Sequence, residues 1–378
     1  MEETVYDTVI AGGGLAGLAL SIQLAKAGYR VALFEKESYP LHRVCGEYIS
    51  LESWNFLEEL GLPLSDWNLP IIRRLLVSSP NGDSLEQGLS LGGFGISRYK
   101  IDQALATIAR EAGVDLHEQT KVTNIKYRVG LSEVRTSAFS AKTQLVAGAF
   151  GKRSNLDIRW HRPFTRRHGN RLNNYIAVKY HIRGDFPSDQ IALHNFRGGY
   201  CGLSKIEDDR YCLCYLTTAE NLQANGNSIE AMEQNVLRAN PHLDRIFGAS
   251  TRLFPEPLAI SQISFERKSL VEDHTLMAGD AAGMIAPLCG NGMSMALHAS
   301  KIAFRCMDRY LQGHLERYEM EQEYTDQWQR HFGWRIWAGR QLQSLFGKEK
   351  LTNRTIRRLR KHPKIVSFLI RQTHGTPF

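Results

Sequence analysis

Several features that would indicate other classes of protein are missing from this chain of 378 residues. No apolar run approaches the roughly 20 residues that a membrane-spanning helix needs. Six cysteines are present, but none form a C-x-x-C pair or a spacing with histidine that is typical of a metal site. We therefore expect reduced thiols, no bound metal and a cytoplasmic location. The acidic start, Met1-Glu2-Glu3, is unlike a secretory signal peptide.

Internal repeats and low-complexity linkers are also absent, and a chain of this length is expected to form two lobes rather than one simple core. The net charge of +8 comes from residues 348–378, which hold nine Lys or Arg and one acid, Glu349. The remaining 38 basic and 38 acidic residues cancel. Because the high pI describes a tail and not the whole surface, nucleic-acid binding is not expected.

The first 36 residues carry the pattern of strand, glycine turn, helix and strand. An apolar run ends in Gly12-Gly13-Gly14-Leu15-Ala16-Gly17, which fits G-x-G-x-x-G, and a helical pattern follows over 15–27. Gly12 permits a tight turn, Gly14 lets a pyrophosphate approach the backbone, and Gly17 lets the helix pack closely on the strand. The helix N-terminus attracts phosphate, and Glu35 can accept hydrogen bonds from ribose hydroxyls. The pattern predicts a dinucleotide site.

A second signature lies at 275–299, where a short apolar strand ends at Gly279-Asp280 and Gly290-Asn291-Gly292 opens an amphipathic helix. A carboxylate at a strand end can bind the hydroxyls of a ribityl chain. The backbone N–H groups of a glycine-opened helix can hold the electron-rich edge of a flavin ring. An ordinary strand–turn–helix would give the same pattern, but together with the first signature it favours a flavin.

Secondary-structure patterns divide the chain into a nucleotide-binding lobe and an inserted lobe. Helices are predicted near 51–60, 101–112 and 228–240, and strand patterns fill much of 156–267. The predicted fold class is α/β: a Rossmann-type FAD-binding lobe, an inserted antiparallel β-sheet substrate lobe and a helical C-terminus. The expected FAD-binding domain comprises 1–70, 96–155 and 268–310, the substrate domain 71–95 and 156–267, and the C-terminal segment 311–378.

Four segments in order resemble the FAD-dependent oxidoreductase superfamily that includes p-hydroxybenzoate hydroxylase-type monooxygenases and geranylgeranyl reductases. They are the glycine turn with Glu35, then Arg43-Val44-Cys45-Gly46-Glu47, then Ile96-Ser97-Arg98, then the GDAAG…PLCGNG stretch. The resemblance implies a resident FAD, with Arg43 and Arg98 near the pyrophosphate or ribityl region unless they are solvated surface charges. It assigns to FAD the residues Gly12, Gly14, Leu15, Ala16, Gly17, Glu35, Lys36, Arg43, Cys45, Gly46, Arg98, Val122, Gly279, Asp280, Ala281, Pro287, Gly290, Asn291, Gly292 and Met293.

One departure from the hydroxylases concerns the electron donor. Family hydroxylases often carry an Asp-Gly pair linked to NAD(P)H and FAD positioning, and Phe150 stands here where the acid would be. NAD(P)H is still the expected donor, although its usual docking is in doubt. The basic run 152–171 follows at once. It can bind the phosphates of NADPH or an anionic substrate, or it can be a solvated basic loop.

Cys45-Gly46 points toward the reductases, because geranylgeranyl reductases carry a Cys-Gly pair in a similar place. By this resemblance, the Cys45 thiol is a candidate catalytic proton donor beside the flavin; the alternative is a buried apolar filler. The reductase motif Tyr-x-Trp-x-Phe-Pro is absent, since the chain has Tyr200-Cys201-Gly202-Leu203-Ser204-Lys205. The Trp-x-Trp-x-Ile-Pro segment of flavin halogenases is absent too, so halogenation is not expected.

Three functions follow from the resemblance. The first is an NAD(P)H-dependent monooxygenase that hydroxylates an aromatic or polyketide-like small molecule through a flavin C4a-hydroperoxide. The second is a geranylgeranyl-reductase-like enzyme that reduces C=C bonds of an isoprenoid or other lipidic substrate. The third is a membrane-surface flavoprotein that carries electrons to quinone. The sequence favours the first over the second.

The basic tail, 348–378, mixes apolar and basic residues around Pro363. Such an element can lie peripherally on an anionic membrane or contact an acidic carrier protein. Alternatively, it is a terminal helix that packs on the protein with its charges in water. The sequence predicts no oligomeric state.

Overall fold

A computed structural model gives the structure of this chain and describes residues 5–165, 175–286, 289–345 and 348–378. Within these ranges the chain is an α/β protein with two sheets and a helical C-terminal part. No helix within them is long and apolar enough to cross a membrane.

The strands are β1 (Val5–Ala11), β2 (Val31–Phe34), β3 (Tyr48–Ser50), β4 (Ile71–Ser78), β5 (Ser84–Gly95), β6 (Asp115–His117), β7 (Val122–Arg128), β8 (Leu131–Thr136), β9 (Ser140–Gly148), β10 (Tyr175–Arg183), β11 (Gln190–Phe196), β12 (Gly199–Lys205), β13 (Tyr211–Thr218), β14 (Thr251–Arg252), β15 (Leu258–Ile263), β16 (Val271–Glu272) and β17 (Thr275–Met277). The α-helices are α1 (Leu15–Lys26), α2 (Trp54–Leu60), α3 (Arg98–Glu111), α4 (Asn155–Arg159), α5 (Ala219–Ala224), α6 (Ile229–Met232), α7 (Pro241–Ala249), α8 (Gly292–Leu311), α9 (Arg317–Leu345), α10 (Glu349–Leu359) and α11 (Pro363–Arg371).

The first sheet has the order β16-β17-β9-β1-β2-β6, with the β7–β8 hairpin attached to β9. The pairs β1–β2, β1–β9, β9–β17 and β2–β6 are parallel. Their carboxyl ends therefore lie at one edge of the sheet, which is where ligands bind in open α/β sheets. Gly12, Glu35, Ala149 and Ala278 immediately follow β1, β2, β9 and β17 at this edge.

Apolar packing fixes this edge in place. Strand β2 is buried throughout, as expected for a strand covered on both faces. Helix α1 packs against α3 and α8, and its apolar residues are nearly all buried, among them Leu18, Leu20 and Ile22. The two helices whose N-termini reach the edge, α1 and α8, are thus held by one core.

The second sheet has the order β14-β10-β13-β12-β11-β4-β5-β3, and β15 pairs with β10. Its pairs are antiparallel except β4–β11, which is parallel. Strand β3 lies within 1–70, the range expected for the FAD-binding domain, yet it pairs with β5 in this sheet. The chain thus passes between the two lobes directly after Glu47.

The C-terminal helices lie against the second sheet. Ile356 of α10 and Val366 of α11 are buried in one apolar cluster with Leu193 of β11 and Leu216 of β13. Helix α9 packs on α8. The C-terminal part therefore covers both lobes and is not a detached tail.

Candidate functional site

A cavity of about 930 Å³ runs along the carboxyl edge of the first sheet and continues onto the second. Its lining includes Glu35 and Val122, the glycine-turn residue Gly14, and also Arg98 and Asp280. The part formed by the second sheet, which we call the apolar end, is lined mainly by apolar side chains. A single cavity thus joins the two glycine signatures to the inserted lobe.

The glycine turn leaves one position open to this cavity. Gly12 has φ of +109°, and a side chain there would overlap the carbonyl of Ala149. A Cβ on Gly17 would overlap the carbonyl of Gly12, which is why the helix can lie so close to the strand. A Cβ on Gly14 would meet only Arg98 Nη2, at 3.7 Å. The turn therefore presents bare backbone at Gly14, as close approach of a phosphate requires.

Two helix N-termini open into the cavity without side-chain caps. Gly14 precedes α1 and Asn291 precedes α8; neither cap residue makes a side-chain hydrogen bond to the helix, and neither first turn contains an acid. The free N–H groups and the positive end of each helix dipole are therefore available to a ligand. This arrangement fits a group that is anionic at one point and electron-rich at a second.

Glu35 is held at the end of β2 by three donors. The N–H of Gly13 donates to its Oε2 at 2.8 Å, the N–H of Glu37 donates to Oε1 at 3.1 Å, and Arg43 Nη2 donates to Oε2 at 3.1 Å. Because each carboxylate oxygen has two lone pairs, acceptor capacity remains for ribose hydroxyls. The carboxylate is buried and oriented before any ligand arrives.

Arg43 and Arg98 converge on Asp102, a fully buried carboxylate of α3. Arg98 donates to both carboxylate oxygens at 2.7 Å, and Arg43 Nε donates to Oδ2 at 3.2 Å. Burial opposes the charge on Arg98, but Asp102 outweighs burial and raises the pKa of Arg98. Both guanidinium groups line the cavity as fixed positive charges, and neither is a freely solvated surface charge.

Asp280 is positioned through its backbone by a lysine that the sequence analysis did not single out. Gly279 has φ of +61°, which turns the chain after β17. Lys268 Nζ donates to the carbonyl of Asp280 at 2.7 Å and to that of Lys152 at 3.0 Å. Burial lowers the pKa of Lys268 to about 8, although Asp280 acts in the opposite direction.

The loop after β2 places Cys45 in the lining of the cavity, beside the second sheet. The thiol of Cys212 donates to the carbonyl of Cys45 at 3.2 Å, and Ser204 Oγ donates to that of Gly46 at 3.1 Å. Both donors belong to the second sheet. Cys45 and Gly46 therefore line the junction between the glycine-lined part of the cavity and its apolar end.

Glu47, the next residue of this loop, is fully buried and holds the loop to the second sheet. Its carboxylate pairs with the Lys179 ammonium and hydrogen-bonds to His181 Nε2 at 2.6 Å, and the N–H of Arg98 donates to it at 2.8 Å. Burial alone would raise the pKa of Glu47, but Lys179 and His181 outweigh it and lower the pKa to about 2. Sequence reasoning gave Glu47 no role, because Lys179 and His181 lie more than 130 residues away along the chain.

Ligand atoms of Glu47, His181 and Cys212 lie within 4.8 Å of one another, a spacing that a metal ion could use. The ammonium of Lys179 already supplies a positive charge to the Glu47 carboxylate. A cation there would have to compete with that charge. We therefore interpret the group as a buried ion cluster that fixes the loop.

The apolar end of the cavity is formed by one face of the second sheet and the segment after β17. Its lining includes Ala177, Leu193, Tyr200, Leu216, Ile260 and Met284. Within the described residues this lining contains no carboxylate, so it suits an apolar ligand. The sequence showed no motif here, because these residues come from five strands and a turn.

Most of the residues assigned to FAD line the cavity. Gly17 packs behind the turn, Ala281 accepts a hydrogen bond from Arg162 through its carbonyl, and Asn291 donates to the carbonyl of Thr373 at 3.0 Å, so these three act from outside the lining. Pro287 lies outside the described residues.

The basic run after β9 is only partly solvated. Phe150, Lys152 and Arg153 line the cavity. Arg162 is fully buried, donating to Asp157 at 2.7 Å and to the carbonyls of Ser269 and Ala281. This residue thus fastens the turn after β17, a role that neither sequence interpretation contained. Residues 166–171 of the run lie outside the described residues.

The chain matches the family described as "FAD binding domain" over residues 7–44. It is 24% identical over 363 residues to conditioned medium factor receptor 1 of Dictyostelium discoideum, covering 88% of this chain and 69% of that protein. It is 27% identical over 322 residues to a digeranylgeranylglycerophospholipid reductase of Methanoculleus marisnigri, covering 79% and 75%. The solved structure of the flavin-dependent brominase Bmp2 superposes with a TM-score of 0.80 at 18% identity, covering 99% and 94%.

These similarities agree with the geometry. The uncapped helix N-termini, the bare backbone at Gly14, the oriented Glu35 and the paired arginines are the parts that an FAD needs, and they line one cavity. When bound, FAD supplies hydride or electron transfer that no side chain can provide. The chain thus carries a match to the FAD-binding family near its N-terminus and is similar over most of its length to FAD-dependent oxidoreductases, as its sequence had indicated.

Proposed function

We propose that this enzyme reduces a carbon–carbon double bond in an apolar, isoprenoid-like substrate. The observation that carries the proposal is the position of Cys45, which lines the cavity where the glycine-lined part meets the apolar end. The similarity to a digeranylgeranylglycerophospholipid reductase supports the same reaction class. This choice reverses the order of preference reached from the sequence, where hydroxylation came first.

The chain's own residues would contribute orientation and a proton. Reduced FAD, when bound, supplies the hydride for one alkene carbon. The Cys45 thiol would donate a proton to the neighbouring carbon, which completes the saturated bond, and the thiolate would then regain a proton from solvent. Hydrogen bonds from Cys212 and Ser204 hold the backbone of this loop, so the thiol keeps its place during turnover.

Substrate binding would rest on apolar burial. The apolar end of the cavity offers Leu193, Leu216 and Ile260 to a hydrocarbon chain, and each buried methylene contributes about 0.8 kcal/mol. NAD(P)H stays the predicted electron donor.

Hydroxylation, the function preferred from the sequence, is a second candidate because Tyr200 places a phenol among the apolar lining residues. A phenolic hydroxyl can hydrogen-bond to the oxygen of an aromatic substrate. The same dry end of the cavity would serve oxygen insertion. The two candidates predict different products from one enzyme preparation.

The test reduces the FAD-loaded enzyme without oxygen and then adds polyprenyl lipid in detergent. Reoxidation of the flavin, with two hydrogen atoms added to the lipid, is the expected result. No alkene saturation without oxygen, together with an oxygenated aromatic product in air, would replace the proposal by hydroxylation. If neither the saturated lipid nor an oxygenated product forms, and only added quinone reoxidises the flavin, the protein would instead be an electron carrier to quinone.

Cys45→Ser should lower the rate of alkene reduction by roughly a hundredfold, the lower range for loss of a general acid. The matched control is Cys214→Ser, because Cys214 lines the same cavity. Burial raises the pKa of Cys214 to about 12, which makes it a poor proton donor. Equal rates for the two variants would remove Cys45 from the mechanism.

A further inference from the structure

The C-terminal helices α10 and α11 have two chemically different faces. Thr352, Ile356 and Val366 are buried against the second sheet. Ile356 and Val366 belong to the same apolar cluster as Leu193 and Leu216, which line the apolar end of the cavity. The inner face of these helices is therefore part of the wall behind the substrate end.

The outer face of the helices is basic. All nine Lys and Arg of 348–378 are exposed. Arg357 pairs with Asp83 at 3.0 Å, and the structure gives the other eight no carboxylate partner among the described residues. Since the rest of the chain is neutral overall, this is where its positive field is concentrated.

Large apolar side chains are exposed beside these charges. On α11, Ile365 is 48% and Phe368 54% exposed. On α9, Trp334 and Trp337 are 57% and 52% exposed, with ring centroids 4.7 Å apart. Trp334 Nε1 donates to Gln372 at 2.9 Å, so the tryptophan pair and the end of α11 form one continuous surface.

We propose that this surface, made of Trp334, Trp337 and the outer faces of α10 and α11, docks on an anionic lipid bilayer. We call it the docking face. Lysine and arginine are attracted to anionic headgroups, whereas tryptophan and phenylalanine partition into the headgroup boundary. A nucleic acid would satisfy the charges but leave the exposed apolar side chains without an apolar partner.

The helices that carry the docking face pack on the strands that form the apolar end of the cavity. Val366 and Phe368 are two residues apart on α11, yet the first packs in the apolar cluster that contains the cavity residues Leu193 and Leu216, and the second faces outward. An apolar substrate dissolved in the bilayer would therefore meet the protein on the side where its cavity is apolar. This last step rests on the proposed function; the docking itself does not.

The experiment uses the full-length, FAD-loaded protein and sedimentation with vesicles that contain no substrate. Vesicles of phosphatidylcholine with about a third phosphatidylglycerol should bind the protein, and pure phosphatidylcholine should not. Raising the salt concentration should release it, because exposed charges are screened within about 10 Å at 0.1 M. Tryptophan emission should shift to the blue on binding, since Trp334 and Trp337 would leave water.

Two charge variants provide the comparison. Lys361→Gln with Lys364→Gln removes two exposed charges from the docking face, and Lys126→Gln with Arg128→Gln removes two exposed charges from the distant β7–β8 hairpin. The first pair should weaken vesicle binding about thirtyfold, because each basic residue near an anionic bilayer contributes about a factor of five. The second pair should leave binding unchanged.

Phe368→Ser tests the apolar contribution. It should weaken binding to the same vesicles while leaving the thermal midpoint unchanged, because the side chain is exposed. Absence of vesicle binding by the unmodified protein, or equal loss in both charge variants, would overturn the proposal. The proposal would also be overturned if an acidic carrier protein bound the docking face more tightly than phosphatidylglycerol vesicles do.

The test of vesicle binding does not depend on the test of alkene reduction. Vesicle binding is measured without substrate, and alkene reduction is measured on lipid in detergent without a bilayer. Docking without alkene reduction would refute the proposed function alone. Alkene reduction without docking would refute this inference alone.

Discussion

The Nε2 atom of His181 and a carboxylate oxygen of Glu47 lie 2.6 Å apart, and their hydrogen bond joins the loop that bears Cys45 to the second sheet. Lys179 completes the cluster from the same strand, β10. The two lobes are thus connected by buried charge as well as by apolar packing.

Replacing Glu47 by Gln should destabilise the protein strongly. The ammonium of Lys179 would be left buried without its counter-charge, which costs roughly 3–5 kcal/mol. Urea unfolding should show an earlier midpoint, and Lys179→Met added to the same variant should recover part of the loss. Glu86→Gln, at an exposed carboxylate, is the control. An unchanged midpoint in Glu47→Gln would mean that the cluster is not stabilising.

The same carboxylate predicts how stability responds to acid. The folded-state pKa of Glu47 is lowered to about 2, against about 4.3 for an unperturbed glutamate. Its contribution is therefore complete above the unfolded value and is lost as the pH falls through the folded value. Thermal midpoints measured between pH 5 and 2 should fall less steeply in the Glu47→Gln, Lys179→Met variant than in the unmodified protein. Parallel curves would contradict this assignment.

Gly14→Ala should weaken FAD binding while the apoprotein keeps its stability. The backbone at Gly14 has φ of −83°, which alanine adopts freely. Its Cβ would enter the cavity and keep a phosphate from the backbone, so we expect affinity to fall by at least about tenfold, or about 1.4 kcal/mol. Flavin fluorescence titration measures this. Gly88→Ala, where a Cβ meets nothing within 4 Å, is the matched control.

Lys268 should make the stability of the protein depend on pH in the alkaline range. Its folded pKa is lowered to about 8, below the ordinary value of about 10.4. Between these values the unfolded chain binds more protons, so this residue makes stability rise with pH. Thermal midpoints followed from pH 7.5 to 9.5 should show this rise, and Lys268→Met should lack it. An equal rise in both proteins would assign it to other groups.

The local elements of the nucleotide lobe could be predicted from the sequence because each depends on neighbours along the chain. The helix expected at 15–27 is Leu15–Lys26, and the one expected at 101–112 is Arg98–Glu111. Glycine spacing located the turn that opens to the cavity, because a phosphate-binding turn restricts which positions can carry a side chain.

The long-range features could not be predicted in this way. No periodicity reveals that Lys179 and His181 meet Glu47, or that Tyr48–Ser50 pairs with β5. Arg162 lay in a basic run interpreted either as a phosphate- or anion-binding segment or as a solvated loop, yet it is buried because Asp157 and two carbonyls accept its hydrogen bonds. For the basic tail, the sequence left packing on the protein and contact with lipid as alternatives. Helices α10 and α11 have an apolar inner face suited to packing and a basic outer face suited to lipid.

The Glu47–Lys179–His181 cluster has a consequence for access to the cavity. Separating the two lobes would disturb a buried ammonium and its carboxylate, and breaking such a pair costs several kcal/mol. A hinge at that boundary is therefore disfavoured. The two lobes should therefore act as one rigid frame around the cavity.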